Sequence, residues 1–162
     1  MSNEKINTAK AADAFIRDLD AYFYGPNFWQ AGLYAQLKEL IFEQALWKPS
    51  PERNCIWDIV RHLNSWKWFA VENLKGKRIE SMKEYNWVKL PENPDEQKWK
   101  ADVEKLKNLH EEFKGLVKNA DFSFFDPSND MSNYTREVIY HNCYHAGQIG
   151  ILRVMQGLKP VV

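Results

Sequence analysis

Apolar residues recur along this chain with the period of amphipathic helices. Over residues 8–24, Ala12, Phe15, Ile16, Leu19, Tyr22 and Phe23 follow i, i+3, i+4, i+7 spacing, and Gly25-Pro26 supplies the stop. A shorter helical piece follows around Leu33, Leu37, Leu40 and Ile41. Two prolines in Trp47-Lys48-Pro49-Ser50-Pro51 make that stretch a loop. A second long helix is expected over residues 56–75, with Ile56, Ile59, Val60 and Leu63 as its apolar stripe and Gly76 as its end. Residues 77–92 are charged, carry few periodic signals and read as a loop. The third long helix takes Asn93 as N-cap, Pro94 as first helical residue and Glu96 as the capping-box partner. Trp99, Val103, Leu106, Phe113 and Val117 form its inward face. The fourth begins near Ser132 or Asn133 and ends at Gly157, a natural C′ residue. No strand alternation, internal repeat or low-complexity tract interrupts this pattern. It predicts an all-α fold in one domain spanning residues 1–162: a four-helix bundle with short extra helical pieces, and residues 1–6 flexible.

Composition narrows the function classes. The 162 residues are 44% hydrophobic and 14% aromatic, which suits one domain with a proper core. Lys+Arg and Asp+Glu both count 22, so the chain lacks the global field that drives phosphate-backbone binding, and a nucleic-acid role is not expected. The local run Lys75, Lys77, Arg78 reads as the cap and solvated end of a helix. The Trp66-Lys67-Trp68 cluster could stack bases, but reads more simply as bulky core and rim residues. Two cysteines, Cys55 and Cys143, make no disulfide framework. With no signal-peptide pattern and no long apolar span, the expectation is a cytoplasmic protein with reduced thiols and no membrane segment.

The candidate chemistry lies in the fourth helix. At about 100° per residue, His141 and His145 stand about 40° apart on one face, one turn apart, the spacing of a two-histidine metal clamp. Tyr134, Val138, Gln148 and Leu152 fall within about 40° of the same direction and Glu137 within about 60°, so the histidines share an apolar, inward face. Cys143 lies about 180° away and is a poor ligand candidate. His62 flanks the Ile59/Leu63 stripe of the second helix. It is either a third ligand reaching a facing helix, with Asp58 orienting a ring as an outer acceptor, or a solvated helix position. His110, near Leu106 and Phe113, reads as a hydrogen-bonded core or boundary histidine, with an extra ligand as the alternative. The residue after His141 is Asn142, so the general base of the His-Glu-x-x-His proteases is missing. There is no Cys-x-x-Cys, phosphate loop or Gly-x-Ser-x-Gly.

Two passages carry a family resemblance. One is Cys55-Ile56-Trp57-Asp58-Ile59-Val60-Arg61-His62-Leu63-Asn64-Ser65-Trp66; the other is His141-Asn142-Cys143-Tyr144-His145-Ala146-Gly147-Gln148-Ile149. Together with Gln44-Ala45-Leu46-Trp47-Lys48-Pro49 they resemble, in order and spacing, the DinB/YfiT-like family of four-helix-bundle metalloenzymes. The resemblance implies one divalent metal ion, zinc or nickel, held by His62, His141 and His145 with water in an open position. It also implies a homodimer, and some relatives are transferases or isomerases that use a low-molecular-weight thiol. On this reading the chain is a metal-dependent enzyme acting on a small molecule, such as a low-molecular-weight-thiol S-transferase. Gln148, Tyr144 and Glu137 would position substrate or orient ligands, although no residue by itself identifies a thiol cofactor. A metal-dependent hydrolase is the runner-up chemistry. A non-catalytic, dimeric metal-binding or stress-related protein is the alternative outside enzymes.

Overall fold

A computed structural model describes residues 3–25, 27, 31–77, 79–120 and 130–161, with side chains at 8–25, 27, 31–77, 79–120 and 136–161. Among the described residues six helices follow in order: α1 (Asn3–Phe23), α2 (Leu33–Leu37), α3 (Phe42–Leu46), α4 (Ile56–Leu74), α5 (Glu96–Lys118) and α6 (Asp130–Met155). The four long ones form the bundle: α4 packs on α5 and α6, and α1 packs on the same two helices. The fold is therefore all-α, a bundle with short extra helices. Among the described residues no helix is long and apolar enough to cross a membrane.

The glycine stops act where the periodic pattern ends. Gly25 adopts a φ of 80° and Gly157 a φ of 75°, left-handed values that an L side chain resists. At the end of α6 the Leu158 N–H reaches back to the Arg153 carbonyl at 3.0 Å, satisfying a carbonyl the helix would otherwise leave open. Pro26 lies outside the described residues, as does Arg78. Of the Lys75/Lys77 run, both amines pair with Glu72 at the end of α4.

Four boundaries differ from the sequence reading, one of them the start of α6, at Asp130 rather than near Ser132 or Asn133. α1 begins at Asn3, upstream of residue 8. The helical piece around Leu33–Ile41 is two short helices, with Leu40 and Ile41 in the connection between them. The N-cap of α5 is Asp95, not Asn93. The Asp95 carboxylate accepts from the Lys98 N–H at 2.8 Å, while Asn93 takes a φ of 42° two residues before the cap and Pro94 one residue before it. A carboxylate at the cap itself meets the positive helix end directly. Glu96 is consequently no capping-box partner; it accepts from the Phe42 N–H at 2.9 Å and ties α3 to the start of α5.

α4 and α5 are joined by a polar clasp as well as by apolar contact. Asp102 accepts from Trp57 Nε1 at 2.8 Å and from Arg61 at 2.7 Å, and its backbone carbonyl accepts from Asn64 at 2.9 Å. Trp57 and Trp99 meet edge to face, 5.6 Å between ring centres. The core divides into two apolar clusters stacked along the bundle. One gathers Phe23, Trp57, Leu63, Trp99, Leu106 and Ile149. The other gathers Leu19, Ala70, Val71, Phe113, Val117 and Val138. On three helices polar residues stand between members of the two clusters: Asp20 on α1, Lys67 on α4, and His141, Asn142 and His145 on α6; on α5 His110 stands between Leu109 and Phe113 of the second cluster. His141 and His145 thus sit where one apolar cluster gives way to the other, while His62 stands beside Val60 and Leu63 of the first cluster.

Candidate metal centre

The helix that carries His62, α4, is set at its first turn. Cys55 is the N-cap: its sulfur faces the Asp58 N–H at 3.4 Å, and the Asp58 carboxylate accepts from the Cys55 N–H at 3.0 Å. Asp58 also pairs with Lys48 at 3.1 Å. Those bonds hold the carboxylate at the helix start, so Asp58 does not orient His62, contrary to the sequence expectation. Burial pushes the Cys55 thiol up to about 12, which removes it as a nucleophile. One turn on from Asp58, His62 is only 6% exposed, which excludes the solvated reading.

The structure brings His62, His141 and His145 together. His141 Nε2 lies 3.0 Å from His62 Nε2 and 2.9 Å from His145 Nε2. The outer nitrogens of two rings are taken. His62 Nδ1 donates to the Asn86 carbonyl at 2.6 Å, and His145 Nδ1 donates to the Gln148 amide oxygen at 2.7 Å. A neutral imidazole with its proton on Nδ1 leaves Nε2 as a bare acceptor. Two acceptors therefore converge on one His141 nitrogen, which can offer at most one proton. At least one pair of lone pairs faces without a bridge, and a cation between them resolves that conflict.

The surroundings keep the rings in the ligand state. Burial holds the His62 imidazole below its ordinary range. Burial, then the charges of His145, His62 and Lys67, pushes His141 down to about 3. Burial and the charge of His62 push His145 down to about 4. All three are neutral at pH 7, as metal ligands must be. Two nitrogens on one tetrahedral zinc stand about 3.3 Å apart, so the two spacings to His141 need only a few tenths of an ångström of adjustment. The three ligand atoms lie within 4.8 Å of one another, and among the described residues no other His, Cys, Asp or Glu joins them. The cluster can hold a divalent ion and leave a position open.

The outer wall comes from the loop the periodic pattern left blank. Trp87 stacks on His62 at 4.1 Å between ring centres, and Trp66 Nε1 donates to the Asn86 side chain at 2.8 Å. Nothing in the sequence of residues 77–92 marks Asn86 or Trp87 beyond the presence of an amide and an indole. Gln148 acts on His145, as noted, and donates its amide to the Tyr144 hydroxyl at 2.9 Å. Tyr144 and Glu137 line a cavity of about 400 Å³ that has His141 in its wall. Tyr134 falls outside the described side chains. Cys143 packs against the Leu19/Val138 cluster, away from the histidines, as its angular position requires.

His110 stands apart from this trio. It is fully buried, stacks on Phe23 at 3.7 Å, and its Nε2 donates to Asp20 at 2.9 Å while Nδ1 faces the Lys67 amine at 3.3 Å. Burial, then the charges of Lys67 and Lys114, holds it far below the usual histidine range. Asp20, His110 and Glu111 form a second group of potential ligands, but Lys114 already pairs with both carboxylates, at 2.9 and 3.1 Å. A cation arriving there would have to displace an ammonium.

The chain is similar to a family of known proteins. The family model described as the DinB superfamily matches residues 30–149, nearly three quarters of the 162, and takes in all three clustered histidines. No curated protein and no solved structure matches the chain significantly.

Proposed function

We propose that this chain, which belongs to the DinB superfamily, is a metal-dependent enzyme in which His62, His141 and His145 hold one divalent ion, zinc or nickel, and a small-molecule electrophile reacts with a low-molecular-weight thiol. The observation that carries the reading is the meeting of three Nε2 atoms, two of them stripped of protons by Asn86 and Gln148. A three-imidazole set suits zinc and nickel alike. The ion would supply Lewis acidity, lowering the pKa of a thiol or a water in the open position.

The chain's own residues do the rest. Asn86 and Gln148 fix ring tautomer and orientation, a role that commonly decides ligand strength. Trp87, stacked on His62, shields that ring's face from solvent. Tyr144 holds Gln148 in place from the cavity side, and Glu137 sits exposed in the same wall. The cavity receives the substrate's body.

The test is turnover. Metal-loaded protein mixed with cysteine or glutathione and a chromogenic aryl halide should form thioether faster than the metal-free protein does. Equal rates with and without metal, across several thiols, would remove the transferase reading. Metal-dependent release of product from an ester, with no thiol present, would replace it with hydrolysis. Metal uptake with neither activity would leave the non-catalytic, stress-related role.

The same reading includes a homodimer. On α6, Tyr140, Tyr144, Ile151, Val154 and Met155 are each more than half exposed and lie within about 60° of one line along the helix. A second copy is the partner we assign to this row, since isolated apolar stripes of this length mark interaction surfaces. Light scattering during gel filtration should give a dimer for the parent and a monomer for the Ile151→Glu, Val154→Glu double variant. A monomeric parent at micromolar concentration would refute the assignment.

A further inference from the structure

The cavity beside the histidines holds a buried lysine amine that meets no carboxylate directly among the described residues, and burial pushes that amine down to about 7. Lys67 lines it, is 2% exposed, and has no carboxylate within 4 Å among the described residues. Its amine contacts are His110 Nδ1 at 3.3 Å and the face of Phe23 at 4.7 Å. His110 in turn donates to Asp20, so Lys67 meets a negative charge only across an intervening imidazole. Once protonated the amine has three donors, and one is used here. Sinking a lysine this far without a direct partner is expensive, and proteins seldom retain such a group without use.

A second unsatisfied donor shares the cavity. Asn142 is 1% exposed, lines the same wall, and its side-chain Nδ2 has no hydrogen-bond partner among the described residues. A buried amide donor left open is rare. The other walls are apolar or aromatic, with Leu63, Trp66 and Val138 prominent. Among the described residues of the lining the one anionic group, Glu137, is exposed to solvent and so stands at the mouth.

We propose that this cavity binds a substrate with an apolar, ring-sized body and a carboxylate, the carboxylate held by Lys67 and Asn142 on the buried side and the body passing His141. Two donors from different helices match the two oxygens of a carboxylate. Glu137 at the mouth repels the same group there and so sets the direction of entry. The proposal names the substrate class of the metal-dependent reaction and rests on that reading for its chemistry, but not for its binding.

Binding can be read without metal. Trp66 in the cavity wall supplies a fluorescence signal, and phenylacetate and 2-phenylethanol supply a matched pair of probes differing in charge. Metal-free parent protein should bind phenylacetate at least about tenfold more tightly than the alcohol, as a charge-assisted contact provides. In Lys67→Met, a change that keeps length and apolar volume, the two affinities should converge while the alcohol's stays as in the parent. Asn142→Leu should weaken phenylacetate alone, and it serves as the second reading if the lysine variant fails to fold. Equal affinity of the two probes in the parent, or a preference that survives both substitutions, would overturn the proposal. Metal uptake by Lys67→Met should equal the parent's. A protein that binds phenylacetate but no metal would sink the metal reading and spare this one; the reverse result would do the opposite.

Discussion

His141→Ala should bind no metal and should lack the thermal stabilisation that added metal is expected to give the parent. His141 Nε2 is the atom both other ligands face, at 2.9 and 3.0 Å, so its removal leaves two nitrogens from different helices with no common centre. Removing even an outer partner of a ligand typically costs about 10–100-fold in metal affinity, and loss of a ligand should exceed the upper figure. With free metal about a thousandfold above its dissociation constant, binding stabilises the folded state by about 4 kcal/mol. For a domain of this size that corresponds to a rise in Tm of roughly 8–16 °C. Scanning calorimetry with and without zinc or nickel should show that rise in the parent and none in the variant. Elemental analysis of both proteins, purified without a histidine tag, should agree. The same metal-dependent rise in both proteins would remove His141 from the centre.

Acid should unfold the metal-free protein well above the range where carboxylates titrate. His141, His145 and His110 are all held below the ordinary histidine value of 6.5, each chiefly by burial. The folded chain keeps them neutral, whereas the unfolded chain takes up their protons below pH 6.5. Their contribution is therefore intact above pH 6.5 and drains away as the pH falls toward the folded values. Each histidine costs about 1.4 kcal/mol per pH unit in that window. From pH 6.5 to 5 that is about 2 kcal/mol for each, or roughly 6 kcal/mol for the three, comparable with a typical domain's whole stability. His62 is shifted in the same direction. Urea unfolding at pH 7 and pH 5, with a chelator present, measures the loss. His110→Gln, which cannot charge, should recover about 2 kcal/mol of the difference while leaving the metal centre intact. A midpoint unchanged between the two pH values would show that these imidazoles are not neutral and buried in solution.

The two histidines of α6 were legible because their relation is internal to one helix. Four residues apart on a 3.6-residue helix is a geometric fact that needs no partner. The same holds for the four long helices and the breaks at Gly25, Gly76 and Gly157: period and turn chemistry act within a few residues. His62 was ambiguous for the opposite reason. A position flanking an apolar stripe is buried or wet according to what packs there, and the group that covers it, Trp87 with Asn86, stands in a loop more than twenty residues downstream. Asp58 misled because a carboxylate one turn before a histidine serves either a ring or a helix start, and here the start, with Lys48, won. Asn93 misled in a similar way, because Asp95 is an equally good cap two residues on.

Sequence by itself determined the helices, the shared face of His141 and His145, the exclusion of Cys143 and the family resemblance. The tertiary structure decided that His62 completes the cluster and that His110 does not. It also decided that Asn86 and Gln148 set two tautomers, and that Lys67 lies buried beside the cavity. The physical reason is range. Helix periodicity and capping are settled by hydrogen bonds closed within one turn. Burial, tautomer and charge state are settled by neighbours that the chain reaches only after folding back, 79 residues away in the case of His62 and His141.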